Sequence, residues 1–414
     1  MNPDGSRGRP RVAALRLIRD RCLPTMSALI VVACSGGRTD VDPHLQEWSI
    51  AAEPDLVIGA DNDPRSDFYR IVGVARLPDG GTVVADGGNQ TISVYGAAGE
   101  LSHRFGRAGK GPGEFTSLAH VTTQGDTILA VDHPLMGIAR LQSFHSSHGL
   151  AGVVTVRPVG EPAPVAVIDV VSPSALLVSR GGARVLKPEM IPPKGVVVRR
   201  TEVWGVLDIG ADSQVVNWLG EFPGNSYYSY ELPPGFPVRR GMGAYTLGPS
   251  AGVRSSGQRI WIGDTGTGLL KILDGGGSLV TQVEFPLPPR PFDEAALETA
   301  RAAELARAGT SGVAQEYAKR MLSALYSPEL LPATAPRFGR MTAGPDGEMW
   351  VECFSEIPTA AHCGVVFDPA GRAIAQATIP AGLELQAVDM TRLIGVRTDS
   401  LGVQRIAAYR LRRQ

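Results

Sequence analysis

Short apolar runs recur along this chain, each opened by a glycine and closed by an acid. Gly81 to Asp86 is GTVVAD, Gly125 to Asp132 is GDTILAVD, Gly257 to Asp264 is GQRIWIGD and Gly347 to Glu352 is GEMWVE, with a looser copy ending at Asp399. Around these runs apolar and polar residues alternate with period two, and glycine-rich turns separate them, which predicts strands in a meander. The first unit is the clearest: Ile71 to Leu77, Thr82 to Ala85, Thr91 to Tyr95 and Leu101 to Phe105. One small sheet cannot bury its apolar face until a neighbour stacks on it, so recurrence of such units predicts a radial or stacked array.

Further units are expected from Leu118 to Val156, Val165 to Phe222, Tyr245 to Phe285 and Phe338 to Ile379. The last, Leu385 to Leu411, has material for three strands only. Glu47 to Ala51, with Trp48 and Ile50 alternating, is the expected fourth, so that the two ends of the chain complete one sheet and remove an exposed edge. The fold class expected is all-β: a six-bladed β-propeller of four-stranded antiparallel blades. Between the fourth and fifth units the alternation stops. Phe292 to Tyr326 is rich in Ala and Glu, and Val313, Tyr317, Met321 and Leu325 recur every four residues, which predicts a helical hairpin broken at Gly309 to Gly312.

Composition agrees with this picture. The 414 residues include 50 glycines and 32 prolines, heavy turn punctuation without the period of collagen, and 43% hydrophobic residues supply a core. A formal net charge of −1 gives no global field for nucleic acid or an anionic membrane, so neither is expected as a partner.

The N-terminus has the features of an export signal. Six arginines from Arg7 to Arg21 precede the apolar stretch Leu23 to Ala33, too short for a stable membrane span but adequate for a signal peptide. The stretch ends Val31-Val32-Ala33-Cys34, which resembles the lipobox of bacterial lipoproteins and implies lipidation at Cys34. The expected organisation is therefore a signal peptide over 1–33, a flexible tether over 34–45 and the propeller over 46–414, with the helical insertion at 292–326. In an oxidising compartment Cys353 and Cys363, at the facing ends of two strands, are expected to form a disulfide. A metal site using His362 is the alternative reading of that pair.

The string FGRAGKGPGEF, Phe105 to Phe115, preceded by VVADGGNQTISVYGAAGEL, resembles the NHL-repeat and six-bladed β-propeller proteins of bacteria, many of them predicted lipoproteins. PDGEMWVE (Pro345 to Glu352), VVFDPAGR (Val365 to Arg372) and the closing Ala408-Tyr409-Arg410-Leu411 extend the resemblance from about Trp48 to the C-terminus. It implies the fold and an envelope location. Members include lyases, lactonase-like enzymes and noncatalytic binding proteins, so it implies no single activity.

If strands run outward from the centre, the acids Asp86, Asp132, Asp264, Glu352 and Asp399 share one face with the helical hairpin, the basic segment Arg180 to Thr201 and the connection Pro223 to Ala244. Loop-rich faces carry ligand sites, and candidate binding residues are accordingly Arg184, Lys187, Arg199, Arg200, Tyr227, Tyr228 and Tyr230 with Asp86, Asp132, Asp264 and Glu352. The acids have two readings: pins for loop amides, or a carboxylate ring for a metal or substrate. The arginines and lysines are either a solvated loop or an anion site, and the tyrosines either a stacking surface or packing between blades.

Candidates for catalysis are few. His120 and His133 are the histidines placed near a channel and could form a metal pair, while no nucleophile motif is present. The reading favoured is a noncatalytic, lipid-anchored binding module without a required cofactor, monomeric, whose partner is an envelope protein, a glycan or an anionic small ligand. The alternative is a lyase or hydrolase assisted by Ca or Zn at the mouth carboxylates with His120 and His133. The anchor is testable directly. Cys34→Ala should convert a membrane-fractionating protein into a soluble or uncleaved one, because the acyl chains supply the membrane affinity; equal fractionation of both forms would refute it.

Overall fold

The computed structural model describes residues 45–59, 67–135, 138–157, 165–180, 191–210, 214–232, 239–307 and 312–413. Cys34 and the expected signal and tether up to residue 44 lie outside the described residues, as do Arg184 and Lys187.

Among the described residues the chain forms six sheets in sequence order, each a meander in which consecutive strands pair antiparallel. Sheet 1 comprises Ile71–Arg76, Thr82–Asp86, Thr91–Tyr95 and Leu101–Phe105. Sheet 2 comprises Leu118–Gln124, Thr127–Leu135, Ile138–His145 and Gly149–Val156. Sheet 3 has five strands: Val165–Ser172, Ala175–Arg180, Val197–Asp208, Val216–Glu231 and Arg240–Ala244. Sheet 4 is Ala251–Ser256, Arg259–Asp264, Leu269–Asp274 and Leu279–Glu284. Sheet 5 is built on Phe338–Ala343, Met349–Cys353, His362–Phe367 and Ala373–Ile379, and sheet 6 on Leu383–Val388, Arg392–Thr398 and Gln404–Arg412.

The recurrent apolar runs are the second strands, and their lack of alternation has a physical cause. Thr82 to Asp86 and Met349 to Glu352 are buried at every position, because both faces of each second strand are covered by neighbouring sheets. Side chains from adjacent sheets meet in six clusters. Val83 and Ile92 of sheet 1 meet Val121 and Phe144 of sheet 2, while Leu129 and Leu141 meet Leu176 and Leu207 of sheet 3. Leu177 and Trp204 meet Ile260 and Ile262 of sheet 4, and Trp261 and Phe285 meet Met349 and Val365 of sheet 5. Trp350 meets Leu393 of sheet 6, and Ile394 with Val396 meets Val74 and Val84 of sheet 1 again. The last contact closes the circuit, giving a propeller-type fold. Close packing uses the glycine before the acid in sheet 4: a Cβ on Gly263 would lie 2.8 Å from the ring of Phe338 in sheet 5.

The closing segment differs from expectation in being shared. Gln46 and Glu47 pair in parallel with Ala375 and Gln376 on the outer strand of sheet 5, and only then do Ser49 and Ile50 pair with Arg412 and Leu411 of sheet 6. Pro54, which has no N–H for a ladder, separates this piece from Leu56–Ile58, which rejoins the same strand of sheet 6 at Ala408 to Ile406. Trp48 sits at the crossing. Its amide donates to the Gln376 carbonyl at 2.9 Å, its ring lies 5.8 Å from that of Trp350, and the Arg413 guanidinium covers it at 4.6 Å.

Sheet 3 also departs from the expected boundaries. Val197 to Thr201, expected in a loop, begins a twelve-residue strand, and the expected connection from Pro223 is a continuation of its partner Val216–Glu231. The extension is stable because its apolar face is covered. The expected hairpin is present as α1 (Glu294–Arg307) and α2 (Gly312–Leu325), and Leu297, Leu322 and Leu325 pack on Tyr228, Tyr230 and Tyr245. Asp293 starts α1 by accepting the Ala296 amide at 3.1 Å.

Trp48 joins sheets 5 and 6 where the N-terminal segment completes the outer edge of sheet 6. Trp48→Ala should cost about 3–5 kcal/mol in urea unfolding, as for other buried aromatic truncations. An unchanged unfolding midpoint would show that closure does not depend on it.

Candidate functional site

Each strand-end acid is occupied by protein donors. Asp86 accepts the amides of Tyr69, Arg70, Gly88 and Asn89 at 2.8–3.1 Å and the Asn89 side chain at 2.8 Å. Burial favours its neutral form, but these hydrogen bonds outweigh that effect and hold its pKa below the usual carboxylate value. Asp132 is fully buried and accepts the amides of Thr116 and Ser117 at 2.9 and 2.6 Å and the Arg140 guanidinium at 2.5 Å. In both cases an acid in the last part of a second strand fixes the segment leading into the first strand of its own sheet. Asp264 accepts the Gly266 amide at 3.0 Å and pairs with Arg199 at 2.8 Å. Asp399 accepts the amides of Leu401 and Val403 and pairs with Arg405 at 2.9 Å.

The pairing of Asp264 corrects the expectation for Arg199. This arginine is no loop cation: it lies in a strand of sheet 3 and also donates to the carbonyls of Gly224 and Ser250, so it ties sheet 3 to sheet 4. Arg200 points the other way along the same strand and covers the Tyr227 ring at 4.4 Å. Tyr228 and Tyr230 are buried and offer no stacking surface. The Tyr228 hydroxyl donates to the Met321 carbonyl at 3.1 Å and the Tyr230 hydroxyl lies 2.6 Å from that of Tyr317, both on α2. Burial raises the pKa of both phenols, and also that of Tyr245, to about 12 in its case.

Cys353 and Cys363 are joined in a disulfide, with Cα atoms 5.2 Å apart. Beside it Glu352 binds His362 at 2.8 Å, and the other ring nitrogen of His362 lies 3.0 Å from the Ala360 carbonyl. Burial opposes charge on the ring, but the hydrogen bonds to Glu352 and Ala360 outweigh it and raise the pKa of His362. The bridged loop in turn carries Glu356, which binds Arg290 through both oxygens at 2.6 and 2.8 Å and accepts the Asp293 amide at the start of α1. Phe354 meets Phe292 edge-on at 6.1 Å. The disulfide thus braces the bracket that holds the helical hairpin.

A cavity of about 770 Å³ lies along the axis and is lined by first strands of all six sheets. It reaches Pro78, Gly125, Asp346 and Asp389, in the turns between first and second strands, at the end opposite the strand-end acids; Asp86, Asp132, Asp264 and Glu352 do not line it. His120 does and His133 does not, so the expected metal pair is not brought together there. Burial lowers the pKa of His133. Among the described residues no group of three or more His, Cys, Asp or Glu could hold a metal ion.

Inside the cavity Asp169 from sheet 3 is buried and held by the Val170 amide at 2.8 Å and by the amide and hydroxyl of Ser255 at 2.9 Å each. His120 Nε2 lies 3.2 Å from Asp169 Oδ1, close enough for an ion pair but off the alignment of a full hydrogen bond. Burial favours the neutral acid, yet the contacts from His120 and Ser255 and the charge of Arg254 keep the Asp169 pKa lowered. Of the lining arginines, Arg76 pairs with Asp389 at 2.9 Å and Arg340 with Glu384 at 2.7 Å. Among the described residues Arg254 makes no ion pair within 4 Å; it donates to the Val253 carbonyl at 3.0 Å, and its charge reaches Asp169 at longer range. Sequence reasoning missed Asp169, Arg254 and Ser255. The signal available was an acid inside the apolar strand VAVIDVVS.

No family model and no curated protein matches the chain. Solved structures similar to it include a member of the DUF4221 family from Bacteroides vulgatus, at 11% identity over 90% of this chain and all of that one, with a TM-score of 0.49. A candidate exported protein of Bacteroides fragilis gives 10% identity over 89% and 100%, at 0.46. The calcium-binding protein regucalcin of Agrobacterium tumefaciens gives 10% over 90% and 98%, at 0.38.

Arg199→Ala should lower the melting temperature, since it strips a guanidinium from four partners at a sheet junction, the carbonyls of Pro223, Gly224 and Ser250 and the Asp264 carboxylate, and leaves Asp264 without its ion pair. Arg200→Ala, losing one contact with a ring at the surface, should change it little. Equal effects in calorimetry would remove the distinction between them.

Proposed function

We propose that this chain is an exported, lipid-anchored six-bladed propeller that binds a small anionic ligand without converting it, in the axial cavity. Export and anchoring rest on the N-terminal arginines, the apolar stretch and Cys34. The observation that carries the binding reading is Arg254, a cavity arginine with no carboxylate at ion-pair distance among the described residues, set beside the fixed polar groups of Asp169 and Ser255. A guanidinium with unused donors recognises carboxylate or phosphate, and neighbouring acceptors and hydroxyls orient the rest of the ligand. The strand-end acids, once candidates for a metal or substrate ring, are engaged with protein donors and act in this reading as architecture.

One observation favours catalysis as a second reading: a buried carboxylate beside His120 has the arrangement that orients a general base. The two readings separate in one experiment. A thermal-shift panel of anionic glycans, peptides and small carboxylates and phosphates should contain compounds that raise the melting temperature. Arg254→Ala should abolish that rise while leaving the melting temperature without added compound close to that of the parent. Stabilisers recovered unchanged after incubation fit a binding protein, and stabilisers consumed in a His120-dependent way fit an enzyme. Responses that persist in Arg254→Ala would place the site elsewhere.

A further inference from the structure

The turn joining the third and fourth strands of sheet 2 carries His145-Ser146-Ser147-His148, outside the axial cavity and untouched by the binding reading above. Its side chains converge. The Nδ1 atoms of His145 and His148 are 2.9 Å apart, and the Ser147 hydroxyl lies 3.0 Å from the first and 2.8 Å from the second. The rings stand edge to face, with centroids 4.5 Å apart. The Ser147 amide donates to His145 Nδ1 at 3.3 Å, which assigns a lone pair to that nitrogen, the form a metal requires.

At this spacing one imidazole donates its Nδ1 proton to the other, so a cation held by both nitrogens would take the place of that proton, which moves to Nε2 of the donor ring. With metal–nitrogen bonds of about 2.0–2.1 Å, nitrogens 2.9 Å apart subtend roughly 90° at the metal, whereas tetrahedral zinc would need them about 3.4 Å apart. Right angles between neighbouring donors belong to square-planar or tetragonal sites of nitrogen and oxygen ligands, the preference of Cu(II) and Ni(II). We propose that His145 and His148, with the Ser147 hydroxyl beside them, form a solvent-open site for a square-planar or tetragonal divalent ion of the Cu(II) or Ni(II) class. The remaining positions would be filled by water or an outside ligand, which makes the site an exchangeable one. His148 and Ser147 are exposed and His145 half-buried, so entry needs no opening of the fold.

Isothermal titration of the full-length protein with CuCl₂ and with NiCl₂, in a buffer that does not chelate, tests this. The parent should bind one equivalent through this turn, and His145→Ala and His148→Ala should each weaken that binding by roughly tenfold or more, since each removes one of two nitrogen donors. Electron paramagnetic resonance of the Cu(II) form should show two nitrogen donors in the parent and one in either variant. His148→Ala alters only an exposed turn side chain, so its melting temperature should match the parent and separate lost binding from lost folding. Equal affinity of parent and both variants, or a parent spectrum with fewer than two nitrogens, would overturn the proposal. Tighter binding of zinc than of copper would also overturn it, because it would contradict the right-angle geometry.

Discussion

The fold depends on covering both faces of each second strand. VVA, ILAV, IWI and MWV leave no polar face to turn toward water, so each strand is stable only between two neighbouring sheets. A row of such sheets would leave two strands half covered at its ends. Bringing Ile394 and Val396 against Val74 and Val84 removes both ends at once. The segment around Trp48 meets a related demand one junction earlier, where it seals the outer strands of sheets 5 and 6.

Much of this was legible in the chain. Sheet 1 falls on its expected strands within a residue or two, because its turns carry Asp79-Gly80-Gly81 and Ala97-Ala98-Gly99 and its runs are short. The cysteine pair and both helices also follow from local pattern. What escaped was nonlocal. Val197 to Thr201 includes two arginines and resembles a loop until Tyr228 and Tyr230 on its partner strand acquire a helical cover almost a hundred residues downstream. Arg199 could not be recognised as structural without Asp264, which lies 65 residues further along. Asp169 illustrates the same limit, because its meaning comes from His120 and Ser255 on the two neighbouring sheets.

The two ends of the axis have different uses of charge. At the strand-end acids the carboxylates are held by backbone amides or by a cation of the protein, which rigidifies the connections. In the axial cavity Arg254 makes no ion pair within 4 Å among the described residues. A scaffold whose recurring acids stiffen every connection can hold such a group in place, since the backbone around it has few alternatives.

The closing segment has a consequence for how the protein is made. The amide of Ile71 binds the side chain of Gln404, 333 residues later, and Ser49 and Ile50 pair with the last strand of all. Synthesis at about 5–20 residues per second separates the two partners by roughly 20 to 70 s. During that interval the earliest strands exist without their final neighbour, and Trp48 has nothing to pack against. The beginning of this chain must therefore stay protected, by chaperones or by its own local sheets, until its end arrives.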